Sequence, residues 1–213
     1  MDILVTGGSG SLGSRINELL PNVFAPTKFE LDVSEPWSLD KRYDIVIHCA
    51  ALVRKKCKDR LLAFKTNVVG TFNAVDYCFK NDSRLVYIST EYVFGHHGPH
   101  SSNDCCCPVS YYGETKLAGE IASRSLENHL IVRCSFMDGF DFQNAYSDHI
   151  SSKMPIDDAA CSIIDLAKST MTGNVHVFGK RRSIYDYVTQ ELGLSVGKIP
   201  LTDPEVPRDS SLC

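Results

Sequence analysis

The chain of 213 residues has a mass of 23.6 kDa, is 43% hydrophobic and 23% charged, and carries a formal net charge of -4. This length allows one α/β domain with a small appendage, and the composition excludes a largely disordered chain. The net charge excludes a general positive field for nucleic acid, and no apolar run approaches the roughly 20 residues of a membrane span. We therefore expect a cytoplasmic protein that binds neither nucleic acid nor a membrane.

Short apolar runs alternate with helical patterns in the first part of the chain. The runs predict buried strands at 2–5, 22–25, 44–50, 84–89 and 129–134. Apolar residues three and four apart predict a helix over 61–79, whose buried face would carry Leu61, Phe64, Val68, Phe72, Val75 and Phe79. A second helix is predicted over 112–126. This alternation is typical of βαβ units, so we predict a Rossmann-type, doubly wound parallel sheet with helices on both faces.

The chain beyond residue 136 has a less regular pattern. It predicts a helix near 157–168, a strand at 174–178 and a helix near 184–192, followed by a proline-containing, extended tail. We expect residues 1–136 to form one domain. Residues 137–213 would form a small, trimmed lobe that is interleaved with the last strands of the sheet.

A polar segment at 95–108 is rich in His, Ser and Cys and is long enough to be a functional loop. It contains three consecutive cysteines, Cys105, Cys106 and Cys107. This spacing suits neither a disulfide framework nor the Cys-x-x-Cys pattern of a zinc site. We therefore expect a solvated loop without a metal; the alternative is a soft-metal site that also uses His96, His97 and His100.

A glycine-rich turn, Gly7-Gly8-Ser9-Gly10-Ser11-Leu12-Gly13, joins the first predicted strand to the first helical pattern. A bound phosphate needs backbone amides close to it and a helix N-terminus behind it, with no side chain in the way. The turn therefore predicts a dinucleotide-binding loop; the alternative is a tight turn that binds nothing. The residues expected at the cofactor are Gly7, Ser9, Gly10, Ser11, Leu12 and Gly13.

The end of the second predicted strand bears on the choice of dinucleotide. An acid there would bind the ribose 2′-hydroxyl of NAD and repel a 2′-phosphate. The segment Ala25-Pro26-Thr27-Lys28 has no acid before Glu30. Because Thr27 and Lys28 can accept a 2′-phosphate, we favour NADP, with NAD as the alternative.

Tyr112 and Lys116 are four residues apart and share one face of a predicted helix. A nearby ammonium group lowers the pKa of a phenol, which can then pass a proton at neutral pH. The strand that ends at Ser89 and Thr90 brings a hydroxyl to the same region. These three elements predict a site that works on a substrate carbonyl.

Together, these features resemble the extended short-chain dehydrogenase/reductase superfamily, with greatest similarity to the dTDP-4-dehydrorhamnose reductases. The similarity to that family lies in the segments Ser89-Thr90-Glu91-Tyr92-Val93-Phe94 and Tyr112-Gly113-Glu114-Thr115-Lys116-Leu117-Ala118-Gly119-Glu120. Supporting matches are Leu31-Asp32-Val33, Cys49-Ala50-Ala51, Asn67, Arg133-Cys134-Ser135 and the tail Pro207-Arg208-Asp209-Ser210-Ser211-Leu212. The resemblance is strong over 1–136 and patchy beyond.

The resemblance implies NAD(P)H bound across the strand ends and hydride delivered to the C4 ketone of a nucleotide-linked 4-keto-6-deoxy sugar. Tyr112 would donate the proton, with Lys116 as its partner and as a ribose ligand. Thr90, or less favourably Ser89, would orient the carbonyl. The further residues implied at the cofactor are Asp32, Val33, Cys49, Ala50, Ala51 and Asn67, and Tyr92 is implied at the substrate. We expect Arg208 at a phosphate of the substrate, with simple exposure to solvent as the alternative.

One segment departs from the family pattern. Arg54-Lys55-Lys56-Cys57-Lys58 stands where the family has an acidic motif; we expect a solvated loop, with a pyrophosphate contact as the alternative. The reductase is the leading interpretation. An NAD-dependent nucleotide-sugar epimerase or dehydratase and a non-catalytic NADP-binding regulatory subunit remain open. By analogy with the superfamily, a homodimer would form through the helix that carries Tyr112 and Lys116 and its neighbouring helix.

Overall fold

The computed structural model describes residues 1–213, and strands and helices alternate in its first part as the hydrophobic pattern predicts. In chain order the elements are β1 (Ile3–Thr6), α1 (Ser11–Leu19), β2 (Ile45–His48), α2 (Arg60–Ala63), α3 (Gly70–Asn81), β3 (Arg84–Thr90), α4 (Tyr111–Ser123) and β4 (His129–Cys134). A π-helical segment, Phe64–Val69, joins α2 to α3. The helix predicted over 61–79 therefore forms as one run containing an irregular turn.

Short strands surround one long helix in the rest of the chain. These elements are β5 (Phe136–Met137), β6 (Asn144–Tyr146), β7 (Ile150–Ser151), β8 (Met154–Pro155), α5 (Ile156–Lys168), β9 (Gly173–Val177), β10 (Arg182–Ser183), α6 (Ile184–Asp186) and β11 (Gly197–Ile199). A π-helical segment, Tyr187–Glu191, continues α6. The predicted helix near 157–168 and the predicted strand near 174–178 are confirmed. No helix is long and apolar enough to cross a membrane.

The central sheet is parallel and has five strands in the order β1-β2-β3-β4-β9. One apolar core lies between this sheet and the pair α1 and α5, and a second lies on the α3 side. Phe24 contacts the outer edge of β1, so neighbours flank β1 on both sides. The predicted Rossmann-type fold is confirmed. The carboxyl end of β1 is then the switch point at which such sheets bind ligands.

The strand predicted over 22–25 does not form. Only Phe24 pairs with β1, through a single bridge to Leu4. Asn22 adopts a positive φ of 68°, which breaks extended geometry, and Pro26 has no N–H group with which to continue a ladder. The segment still places residues 27–28 beside the glycine turn.

The predicted buried face of the 61–79 helix is only partly correct. Val68 and Val75 are buried, but the other four members are 45–65% exposed: Leu61, Phe64, Phe72 and Phe79. The small or polar residues Ala63, Asn67, Thr71, Ala74 and Cys78 are buried instead. The π-helical turn adds a residue and shifts the phase of the pattern, so the run leaves an apolar stripe uncovered.

The loop at 95–108 is packed rather than simply solvated. The buried His100 ring stacks on Phe94 at 4.4 Å, and the C-terminal tail pairs with this loop through bridges at His97 and His100. Arg133 donates to the half-buried Cys106 thiol at 3.2 Å, while Cys105 and Cys107 are exposed. No group of three His, Cys, Asp or Glu side chains is close enough to hold a metal. The tail therefore fastens this loop to the sheet.

Candidate active site

The glycine turn follows β1 and has no room for side chains. Gly7 has a φ of +71°, and a Cβ atom there would lie 2.9 Å from the backbone of Ala50. A Cβ atom at Gly8 would lie 2.3 Å from the Ala25 carbonyl, and one at Gly13 would lie 2.2 Å from the Gly7 carbonyl. Glycine is therefore required here for the close approach of three backbone segments.

Helix α1 begins directly after this turn and presents free N–H groups. Gly10 is the N-cap and offers no side chain, and the first turn contains no acidic residue. The first intrahelical hydrogen bond is donated by the Ser14 amide to the Gly10 carbonyl at 2.9 Å. The N–H groups of Ser11, Leu12 and Gly13 thus stay available for an anion, with Leu12 buried as an anchor. This cradle fits the pyrophosphate of a dinucleotide.

Thr27 and Lys28 lie at the exposed edge of the same cleft, each beside an acid. The Thr27 amide and hydroxyl donate to the Glu30 carboxylate at 2.8 and 2.9 Å, and these bonds lower the pKa of Glu30. Lys28 lies 3.5 Å from the Asp32 carboxylate. The two Thr27 donors therefore already hold an anionic group of this chain.

The other residues expected at the cofactor fall in two segments, Asp32–Val33 and Cys49–Ala51. The Ser34 hydroxyl and amide donate to Asp32, and these bonds, led by that of the hydroxyl, lower the pKa of Asp32. Val33 is buried. Cys49, Ala50 and Ala51 directly follow β2 and are half-buried, and the Ala50 amide donates to Thr6 at 3.2 Å.

Asn67 differs from its expected role as a direct cofactor ligand. It is fully buried in the π-helical segment. Its amide group donates to the Leu52 carbonyl and to Thr115, while its oxygen accepts from the Leu52 amide at 2.7 Å. Both donor hydrogens are used within the protein. Asn67 therefore fastens the chain after Ala51 to helix α4 and positions the wall of the cleft.

Tyr112 and Lys116 lie on the first two turns of α4. The Ser110 hydroxyl caps this helix by accepting from the Gly113 amide at 3.2 Å. The absence of a side chain at Gly113 lets the helix approach the Tyr92 carbonyl. The Tyr92 and Tyr112 rings contact edge to face at 6.0 Å, so the helix start and the turn after β3 form one surface.

The electrostatics of this pair differ from the expectation for an ammonium group beside a phenol. Burial raises the pKa of the Tyr112 phenol, the Glu91 carboxylate raises it further, and the Thr90 hydroxyl opposes this rise. Burial also lowers the pKa of Lys116 to about 8, and its Nζ lies 4.1 Å from the centre of the Tyr87 ring. Tyr112 is therefore held protonated at neutral pH, as a proton donor must be.

The structure separates Ser89 from Thr90. Successive side chains of β3 point to opposite faces of the sheet. The Ser89 hydroxyl donates to the buried Glu120 at 2.6 Å and is directed away from the phenol. The Thr90 hydroxyl donates to Glu91 at 3.1 Å. It also lies beside the Tyr112 phenol and opposes the rise in the pKa of that phenol. Of the two hydroxyls, that of Thr90 lies beside Tyr112, whereas that of Ser89 is already bonded to Glu120, so the structure does not place Ser89 at the substrate side.

A cavity of about 590 Å³ opens beside Tyr112. Its lining comprises Arg54, Lys55, Cys57, Lys58, Arg60, Tyr111, Tyr112, Asp203 and Glu205. The basic segment expected to be solvated therefore faces the site. Arg208 does not line this cavity; it pairs with Asp148 at 3.2 Å and is exposed.

Sequence reasoning missed several of these residues. Lys153 forms a buried ion pair with Glu91, and the acids Asp203 and Glu205 reach the cavity from the C-terminal tail. The only sequence signal for Glu91 was its place next to Thr90. Lys153 had none, because its partner is 62 residues away.

The fold and the site together define an extended short-chain dehydrogenase/reductase-like protein. The evidence is a Rossmann-type sheet, a glycine turn that fits a dinucleotide, and a tyrosine that lines a cavity with a threonine hydroxyl beside it. The chain belongs to the family described as the RmlD substrate binding domain, whose model matches residues 1–153.

Comparison with known proteins agrees with this family and fold. A dTDP-4-dehydrorhamnose reductase of Mycolicibacterium smegmatis is 33% identical over 158 residues, which is 66% of this chain and 48% of that relative, so this match spans about half the relative's length. A crystal structure of a Clostridium acetobutylicum dTDP-4-dehydrorhamnose reductase superposes with a TM-score of 0.89 at 26% identity, covering all of this chain and 90% of that one. The Bacillus anthracis enzyme, solved in complex with NADP, gives 0.86 at 25% identity with the same coverage.

Proposed function

We propose that this chain is an NADPH-dependent reductase of the C4 ketone of a nucleotide-linked 4-keto-6-deoxy sugar. The observation that carries the proposal is the placement of Thr90 beside a protonated Tyr112 at the cavity wall. The reductases named above reduce dTDP-linked 4-keto sugars, and they share this fold. The glycine turn and the free N–H groups of α1 supply a matching dinucleotide site.

The chemistry of these side chains suits ketone reduction. NADPH, when bound, supplies the hydride. Reduction of a ketone leaves negative charge on its oxygen, and Tyr112 is held in the protonated state needed to neutralise it. The Thr90 hydroxyl would turn from Glu91 to donate to the same oxygen. Lys116, whose pKa is about 8, is mainly charged at pH 7 and would stabilise the phenolate that remains.

Two features support NADPH over NADH. The Thr27 amide and hydroxyl form a pair of donors that already binds a carboxylate. A 2′-phosphate offers the same kind of acceptor, and Lys28 adds a positive charge nearby. NADH is the alternative cofactor, because Glu30 and Asp32 also bring negative charge to this edge.

The remaining parts of the chain complete the proposal. Residues 1–136 would bind the cofactor, and residues 137–213 would contribute the lobe that encloses the sugar nucleotide. The protein would act in the cytoplasm. A direct test uses NADPH with deuterium at the transferred position and dTDP-4-dehydrorhamnose. The proposal predicts a deoxy-sugar product with deuterium at C4; recovery of unlabelled ketone would contradict it.

We also propose a homodimer through the exposed apolar stripe of α2, α3 and α4. Phe72 and Phe79 are 56% and 60% exposed, and Ile121 of α4 is 62% exposed. An uncovered apolar surface of this kind is typical of an interface. Light scattering after gel filtration should give twice the chain mass, and Phe72→Glu should give a monomer. A wild-type monomer at micromolar concentration would contradict this proposal.

A further inference from the structure

The cavity beside Tyr112 contains more positive charge than proton transfer needs. Four basic side chains line it, Arg54, Lys55, Lys58 and Arg60, together with the two acids Asp203 and Glu205. Tyr112 is part of the same lining. The basic groups thus border the space that a molecule reacting at Tyr112 must occupy.

Three of these cations are held in place, and only one of them by an acid. Arg54 pairs with Asp203 at 2.6 Å. Lys55 lies 3.8 Å above the Phe142 ring, and the Arg60 guanidinium lies 4.0 Å above the Tyr111 ring. An aromatic face orients a cation without neutralising it. Lys58 is exposed. Lys55, Lys58 and Arg60 form no ion pair, and Glu205 is the one unpaired acid in the lining, so the cavity keeps a positive excess.

We propose that Lys55, Lys58 and Arg60 bind the diphosphate group of the nucleotide sugar; this inference rests on the proposed function. A sugar nucleotide carries its diphosphate at C1, across one pyranose ring from the C4 ketone. The same cavity therefore receives the ketone at Tyr112 and the two negative charges at the basic side. A planar guanidinium and two ammonium groups are the usual donors to such oxygens.

The diphosphate of the cofactor is a less suitable ligand for this cluster. The free N–H groups of α1 already form a site for it. The basic groups instead share their cavity with the reacting phenol, where the substrate must lie. The acids Asp203 and Glu205 limit the charge of the cavity, which favours a ligand of low net charge such as a nucleoside diphosphate ester.

Binding of dTDP to the 213-residue chain, measured by calorimetry, tests the subsite without turnover. Lys58→Ala and Arg60→Ala should each weaken dTDP binding about tenfold, as expected when one charged contact is lost. Lys56→Ala is the matched control, because Lys56 belongs to the same basic turn but does not line the cavity. Lys56→Ala should bind dTDP as the wild type does, and all three variants should bind NADPH normally.

The possible results separate this subsite from the proposed function. If Lys58→Ala and Arg60→Ala bind dTDP as tightly as the wild type, the subsite is wrong whatever the enzyme reduces. If Lys56→Ala weakens binding as much as they do, a general positive field is responsible and the subsite is again wrong. If the two lining variants alone lose dTDP but no nucleotide sugar is reduced, the subsite stands and the proposed reaction fails. Thymidine, which lacks phosphate, should bind weakly and equally to all four proteins.

Discussion

Lys153 and Glu91 form an ion pair directly behind the proposed reacting groups, and both side chains are almost fully buried. The second Glu91 oxygen accepts the Thr90 hydroxyl at 3.1 Å. Although burial opposes it, the Glu91 charge raises the pKa of Lys153. The pair therefore holds Glu91 in place, and Glu91 in turn orients the Thr90 hydroxyl.

Replacing Lys153 by methionine should destabilise the protein strongly. The change leaves the Glu91 carboxylate buried without its partner, which typically costs about 3–5 kcal/mol. The free energy of unfolding from urea titration measures this loss. Lys153→Arg should retain most of the stability. The double variant Lys153→Met/Glu91→Gln should recover part of it, and a Lys153→Met protein as stable as the wild type would show that the pair is not needed.

Thr90 and Ser89 should respond differently to removal of their hydroxyl groups. Thr90→Val should reduce kcat about 10- to 100-fold, because a hydrogen bond to the developing oxyanion is lost. Ser89→Ala removes only a bond to Glu120, so kcat should stay within a factor of about two while the melting temperature falls. Steady-state kinetics and thermal unfolding distinguish the two. Equal loss of kcat in both variants would contradict the orientation of β3 described above.

Burial lowers the pKa of Lys116 to about 8. The activity should therefore fall as the pH rises through about 8. Below this pH the ammonium form predominates and can support the Tyr112 phenolate; above it the charge is lost. Unfolding does not explain such a fall, because the unfolded lysine has the higher pKa and its contribution to stability rises with pH over this interval.

The control for this pH effect is Lys116→Arg, which keeps its charge at every accessible pH. Its residual kcat/KM should stay level between pH 7 and pH 9, whereas that of the wild type declines. A wild-type profile that is also level over this interval would show that Lys116 does not titrate there.

Lys28→Ala should raise the KM for NADPH about tenfold and leave the KM for NADH nearly unchanged. The reason is that the lysine can pair with a 2′-phosphate but has no partner on a 2′-hydroxyl. Glu30→Gln is the complementary change and should improve NADPH relative to NADH, since it removes a negative charge from the same edge. Parallel changes of KM for both cofactors would place the 2′-phosphate elsewhere.

Much of this architecture is encoded locally in the sequence. The parallel sheet follows from short apolar runs separated by helical patterns. The glycine turn is predictable because only glycine allows the close backbone approach at Gly7, Gly8 and Gly13. The prediction of a strand at 22–25 was wrong for a local reason too: Asn22 has a left-handed backbone conformation, and Pro26 ends the segment. The prediction for the buried face of the 61–79 helix was partly wrong because small and polar residues fill that face and the π-helical turn shifts the phase of the pattern.

The finer features of the site depend on contacts between distant residues. Ser89 and Thr90 are neighbouring hydroxyl residues in the sequence. The bond from Ser89 to Glu120, 31 residues away, shows that Ser89 points away from Tyr112. Arg54 is paired with Asp203 across 149 residues. The sequence therefore predicts a solvated loop for the basic segment, although the C-terminal tail lies beside it in the fold. Local sequence patterns do not predict contacts between residues so far apart in the chain.

The measurement that tests the central claim most directly is oxidation of NADPH by the purified protein in the presence of dTDP-4-dehydrorhamnose. We predict loss of the reduced-nicotinamide absorbance that depends on the sugar. Tyr112→Phe should reduce the rate about 10²- to 10⁴-fold while NADPH binding is retained. Tight NADPH binding with no sugar-dependent oxidation in the wild type would contradict the reductase and favour a regulatory NADP-binding subunit.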